Sequence, residues 1–228
     1  MDYMLQNSLL LTHRRALILG VTGLALGGRG ALAQSRPYSI VALGDSLTAG
    51  LGLTRSQAFP ARLSARLKSA GYQVLIANAG LSGDTTAGAL ARFDFAVPKG
   101  TNGLLLAIGA NDMLQGMSPA AAQRNIDTII VRAKARGITV ALLGMRAPTN
   151  WGRAYRAAFD GIYPALARKH KLPLDPFVLE GIALNPALNQ ADGIHPTAVG
   201  ADRIAARLVP FTARAFGLRA GALTSKTK

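Results

Sequence analysis

From residue 38 onward the chain alternates short apolar runs with longer amphipathic ones. Residues 38–44 (YSIVALG), 73–79 (QVLIANA), 103–109 (GLLLAIG), 139–145 (TVALLGM) and the weaker 172–177 (LPLDPF) predict five strands. Most of these runs show no clean alternation, as expected when both faces of a strand are covered in a parallel sheet. The stretches between them have helical spacing. Residues 59–70 place Leu63 and Leu67 on one face. Residues 119–136 turn Ile126, Ile129 and Ile130 to one side, with Pro119 suited to a first helical turn. Residues 150–170 and 197–216 follow the same period, and Gly71 and Gly137 stand where helix C-termini favour glycine. Strands alternating with helices predict one three-layer α/β/α domain over residues 36–218, built on a five-stranded parallel sheet. Ligands bind such sheets at the carboxyl ends of the strands. Ser46, the 80–83 segment and Asn111 all fall there.

Before residue 34 the pattern is different. Arg14 and Arg15 precede the apolar stretch 16–26, and Ala31-Leu32-Ala33 has the small-x-small form of a signal-peptidase site. Residues 1–33 therefore predict an export signal cleaved before Gln34, with a periplasmic or secreted mature chain. The segment THRRAL also resembles a twin-arginine signal, so both the twin-arginine and the general route stay open. An uncleaved N-terminal anchor is the alternative. The last ten residues, 219–228, are small, polar and basic, and predict a disordered tail.

Half of the 228 residues are apolar and 16% are charged, which leaves ample material for a core. There is no cysteine, which excludes disulfides and thiolate metal sites. The formal net charge is +15. The cations are spread along helices rather than gathered in runs, apart from residues 168–171 (RKHK), which predict a helix C-terminus. A soluble basic protein with peripheral contact to anionic lipid fits this better than a nucleic-acid binder, which would need basic-aromatic motifs.

Four short segments carry the chemistry. Gly44-Asp45-Ser46-Leu47 follows the first strand and presents a hydroxyl where a helix begins. It lacks the second glycine of the G-x-S-x-G elbow, since Thr48 stands there, so the larger α/β-hydrolase fold is disfavoured. Asp192-Gly193-Ile194-His195-Pro196 places a carboxylate three residues before an imidazole. A serine hydroxyl needs a neighbouring base, imidazole suits that role at neutral pH, and a carboxylate fixes its tautomer. Of the three histidines, His13 lies in the signal and His170 in the basic cluster, which leaves His195. Asn111, after the third strand, offers a side-chain amide to a developing oxyanion. The glycines of residues 78–86 (NAGLSGDTT) offer a backbone N–H to the same place. Each segment also has a plain reading, as helix cap, turn or strand-to-helix loop.

Together these residues resemble the SGNH, or GDSL, hydrolase family. Its blocks occur in order as Gly44-Asp45-Ser46-Leu47, the glycine block at 80–83, Gly109-x-Asn111-Asp112 and Asp192-x-x-His195-Pro196. The chain is most similar to the thioesterase I / lysophospholipase L1 / arylesterase branch, with Arg146-Ala147-Pro148 and Gly152-Arg153-x-Tyr155 as further matches. The resemblance implies a flavodoxin-like SGNH hydrolase fold and a catalytic set of Ser46, Asp192 and His195. It implies an oxyanion hole of the Ser46 N–H, the Gly83 N–H and the Asn111 amide. It also implies an acyl-serine intermediate without metal or organic cofactor. Met113 and Leu114 begin a segment that aligns with a mobile loop over the acyl chain, and with Asp45 and Gly80 they are the candidate substrate contacts. The expected substrates are small carboxylic esters or thioesters, such as aryl esters, acyl thioesters and lysophospholipids, acted on by a monomer. Carbohydrate O-acetylester cleavage and non-catalytic envelope binding are the rival readings. Residues 178–190 point to no particular substrate.

Overall fold

The computed structural model describes residues 36–221. The predicted export signal lies outside them. The first run forms β1 (Tyr38–Gly44), whose residues from Ile40 onward are buried. It leads into a single turn, α1 (Ser46–Ala49), and then α2 (Phe59–Ser69), which opens on Pro60. β2 (Val74–Gly80) follows, then the short helices α3 (Thr86–Ala91) and α4 (Phe93–Ala96). β3 (Gly103–Ala107), α5 (Ala110–Leu114) and α6 (Pro119–Ala135) come next. The chain continues through β4 (Thr139–Leu143), α7 (Arg153–Asp160), α8 (Ile162–His170), β5 (Leu174–Asp175) and α9 (Ala198–Ala215).

The strands pair in parallel in the order β2-β1-β3-β4-β5. One α/β domain with a five-stranded parallel sheet is therefore what the sequence pattern predicts. α2 packs on α9 and on β2, while α6 gathers α3, α7 and α8 and packs on β4. Helices thus cover the sheet with two layers. The fully buried Ile40, Leu43, Leu104, Leu105 and Leu106 lie between them. Burying one such side chain contributes roughly 1.5–3 kcal/mol before the entropy of ordering it.

Three details depart from the sequence expectation. β2 is an edge strand and is not covered on both faces: Leu75 is 48% exposed. The helix expected over 150–170 is divided at Gly161, with a 3₁₀ turn at Thr149–Trp151 ahead of it. Pro164 supplies the reason, because it has no N–H to give to the carbonyl of Asp160. Finally, the predicted disorder does not begin at Arg219. Ala220 pairs with Tyr72, and the Gly221 N–H donates to Gly71 O at 3.0 Å. The rest of that tail lies outside the described residues.

The strand order reverses direction between β1 and β3, and a crevice opens at such a switch point. Ser46 lies just beyond one of these strands and Asn111 just beyond the other.

Candidate active site

The turn after β1 is built by Asp45. Its Oδ1 accepts from the Leu47 N–H at 3.0 Å, capping α1 and placing Ser46 as the first helical residue. Ser46 Oγ lies 2.8 Å from His195 Nε2. On the other side of the ring, Nδ1 is 2.7 Å from Asp192 Oδ2. With Nδ1–H donating to the carboxylate, Nε2 is left to accept from the serine hydroxyl. The second oxygen of Asp192 accepts the N–H groups of Ile194 and His195, both at 2.9 Å. The His195 N–H first, then the His195 ring and the Ile194 N–H, pull the Asp192 carboxyl down to about 2. It stays ionised at any pH where an imidazole can act as a base. The loop is held by Gln190 N–H donating to His195 O at 2.7 Å and by pairing of Asn189 with Pro196.

Gly83 and Asn111 face the same opening as Ser46 and His195. Gly83 has φ +82°, a conformation L side chains rarely adopt. Asn111 Nδ2 donates one hydrogen to Asp84 O at 2.9 Å, which orients the amide and leaves its second N–H for a ligand. Behind them lies a network with no obvious signature in the sequence. Asp84, buried, accepts from Arg92 Nε at 2.7 Å, and the same guanidinium donates to Gly44 O at 3.0 Å. Arg92 therefore ties the serine turn to the Gly83 loop, and Asp84 ties that loop to Asn111. Asp112 adds a second link by accepting both the N–H (2.8 Å) and the hydroxyl (2.6 Å) of Thr86.

Met113 and Leu114 line the cleft as expected. Asp45 and Gly80 do not. Asp45 is fully buried, and burial raises its carboxyl to about 6 against the lowering effect of the Leu47 N–H. It shapes the turn and does not line the cleft. A Cβ on Gly80 would stand 2.1 Å from Ala49 N, so this glycine lets α1 sit against the end of β2. Both corrections have one cause: a residue beside a reactive one in sequence can point into the core.

The cleft has a volume of about 510 Å³ and runs across the strand ends toward β4 and β5. Its far wall is made by residues the sequence did not single out as contacts, among them Met145, Phe177, Leu179 and Leu184. Leu184 is 91% exposed and has φ +63°, an uncommon conformation for a branched residue. Their positions just after strands were the available signal, but aliphatic residues in loops are too common to be selected by type. A larger open groove, about 930 Å³, lies between α2 and α9. It contains none of the residues above, and it carries the exposed Arg66–Asp202 ion pair.

Comparison with known proteins agrees with this geometry. The family described as GDSL-like Lipase/Acylhydrolase matches residues 42–203. The chain is 40% identical over 198 residues to esterase TesA of Pseudomonas aeruginosa, covering 86% of this chain and 96% of that protein. It is 37% identical over 159 residues to thioesterase 1/protease 1/lysophospholipase L1 of Escherichia coli K12, covering 69% and 75%. Among solved structures, the SGNH-hydrolase family esterase AlinE4 superposes with a TM-score of 0.66 at 43% identity, over 78% of this chain and 96% of that one. The sequence blocks, the sheet order and these relatives converge, and the chain belongs to the GDSL-like lipase/acylhydrolase family, whose fold is that of the SGNH hydrolases.

Proposed function

We propose that this chain is an exported serine esterase that cleaves acyl esters or thioesters through an acyl-serine intermediate. His195 takes the Ser46 proton as Oγ attacks the acyl carbonyl. The carbonyl oxygen becomes an oxyanion, held by the N–H groups of Ser46 and Gly83 and by the free N–H of Asn111. The intermediate collapses, and the alcohol or thiol leaves with the proton carried by His195. Water then attacks the acyl-serine by the same route and releases the carboxylic acid. Asp192 holds the ring and stabilises the imidazolium without taking the proton itself.

One observation carries this reading: the unbroken hydrogen-bond chain from Asp192 through His195 to Ser46 Oγ. The names of the relatives, esterase and thioesterase 1/protease 1/lysophospholipase L1, support the same reaction class. The apolar cleft favours acyl chains longer than acetyl, which sets this reading ahead of carbohydrate O-acetylester cleavage. Export rests on the pattern of residues 1–33, and the protein is read as a monomer that touches anionic lipid only peripherally. N-terminal sequencing of the secreted protein should begin at Gln34.

The test is mass spectrometry after reaction with a fluorophosphonate, with one adduct expected on Ser46. An unlabelled protein, or a label on another residue, refutes the mechanism. A substrate panel from acetyl to palmitoyl then separates the long-chain reading from the acetylesterase one. A non-catalytic envelope binder would show no burst of released p-nitrophenol.

A further inference from the structure

Arg146 stands apart from everything else in the cleft. It follows β4 and is exposed, yet it lines the same apolar trough as Ser46 and His195. Apart from His195 it is the one ionisable side chain among the described lining residues. Among the described residues it has no ion pair and no side-chain hydrogen bond; it lies over the ring of Phe177, whose centroid is 5.3 Å from the guanidinium carbon. A guanidinium stacked on an aromatic face keeps its edge N–H groups free, and that edge matches a carboxylate bidentately. The segment beyond it is fixed on both sides. The Ala147 N–H donates to Asp160 Oδ1 at 2.8 Å, and Ala147 O accepts from Arg156 Nε at 3.2 Å. Asp160 thus holds a backbone amide, and it forms no ion pair with Arg146.

Position supplies the rest. Ser46 follows β1, Arg146 follows β4, and Phe177 follows β5. The sheet order puts β4 two strands and β5 three strands from β1. At a strand spacing of about 4.8 Å, the end of β4 lies roughly 10 Å from that of β1, and the end of β5 roughly 14 Å. The wall between them is apolar: Met113, Leu114, Met145 and Leu179 all line it. Hydrocarbon followed by an anion is the chemistry this sequence of surfaces recognises.

We propose that Arg146 selects acyl substrates that carry a carboxylate at the far end of the chain, the half-esters of medium-length dicarboxylic acids. This rests on the acyl-serine reading above. The chain lies along the apolar wall, its reactive carbonyl faces Ser46, and its distal carboxylate pairs with the guanidinium over Phe177. A shorter diacid cannot span the distance.

The experiment compares kcat/KM within two pairs of p-nitrophenyl esters: decanoate with mono-sebacate, and hexanoate with mono-adipate. In the wild type the anionic-to-neutral ratio should be higher for the ten-carbon pair than for the six-carbon pair. A ratio equal in the two pairs, or higher in the shorter, overturns the proposal without recourse to any variant. In Arg146→Gln the ten-carbon ratio should drop about tenfold, as expected for loss of one charge-assisted hydrogen bond, and mainly through KM. The six-carbon ratio should stay within about twofold, well short of that loss. An equal drop in both pairs would indicate the general field of a basic protein, and no drop would indicate no pairing; either result refutes the role of Arg146. Failure of the acyl-serine reading itself would appear separately, as turnover of all four esters by Ser46→Ala.

Discussion

The two walls of the cleft present different surfaces to a ligand. Over β1, β2 and β3 the wall is polar and cross-linked: Asp192 to His195 to Ser46, Arg92 to both Gly44 and Asp84, Asp84 to Asn111. Over β4 and β5 the surface is apolar; Arg207 ties the chain behind it to Asp175, Phe177 O and Val178 O, Arg156 holds Ala147 O, and among the described residues the surface carries one cation without an ion pair. The first wall gathers Ser46, Gly83 and Asn111 around one opening, and stabilising a transient charge requires donors gathered in that way. The second offers area and one distant anchor, which is what sorting substrates requires. On the proposed function, chemistry and selectivity are separated across the sheet, and each should be alterable without the other.

That separation can be broken from either side. The largest effect is expected at the nucleophile. Ser46→Ala should reduce kcat on p-nitrophenyl butyrate by about 10³-fold or more, with an unchanged circular dichroism spectrum. Undiminished turnover would end the mechanism. Next is Asn111→Ala, where loss of one oxyanion donor should reduce kcat about 10²–10³-fold with little change in KM. A change in KM alone would place Asn111 on the substrate-sorting side of the comparison.

Asp45 tests how far the polar wall depends on buried charge. Its carboxyl is raised from 3.8 to about 6 by burial, so the folded state holds this proton more tightly than the unfolded chain. Its influence on stability is therefore neutral below pH 4, and stability falls as the pH rises from 4 through 6. Two units correspond to about 3 kcal/mol, an order-of-magnitude figure. Asp45→Asn should flatten that decline in urea unfolding measured at pH 4.5 and 7.5. An unaltered slope would mean the buried carboxyl does not titrate there. The smallest effect is expected on the apolar wall. Leu179→Ala should raise KM for p-nitrophenyl decanoate about fivefold while acetate hydrolysis changes little, because only the longer chain reaches that surface. Equal losses on both esters would join the two walls into one functional unit.

The same division describes what could be read from the chain. The polar wall was legible because its reactive members are rare residue types in short motifs. There are three histidines, and only His195 has a carboxylate at the right spacing. The network behind it was not legible. Arg92 lies 48 residues from the Gly44 carbonyl it holds, and no local pattern marks that contact. Asp45 and Gly80 were misread because adjacency in sequence does not fix which way a side chain points. Burial and the close approach of Ala49 decide that. The apolar wall escaped notice because a leucine that fills a core and one that lines a trough have the same letter.

Hydrophobic periodicity alone determined five strands, the helices between them and the layered sheet they must form, because unpaired backbone and exposed apolar faces leave few other arrangements. Periodicity is a local property, and it carries no record of distance between remote segments. Only the tertiary structure decided which edge β2 occupies, why the helix divides before Pro164, and which side chains end within hydrogen-bonding reach of Ser46. It also decided that Arg146, stacked on Phe177, has no ion pair among the described residues that line the apolar trough. Those outcomes depend on how packed elements place their ends in space.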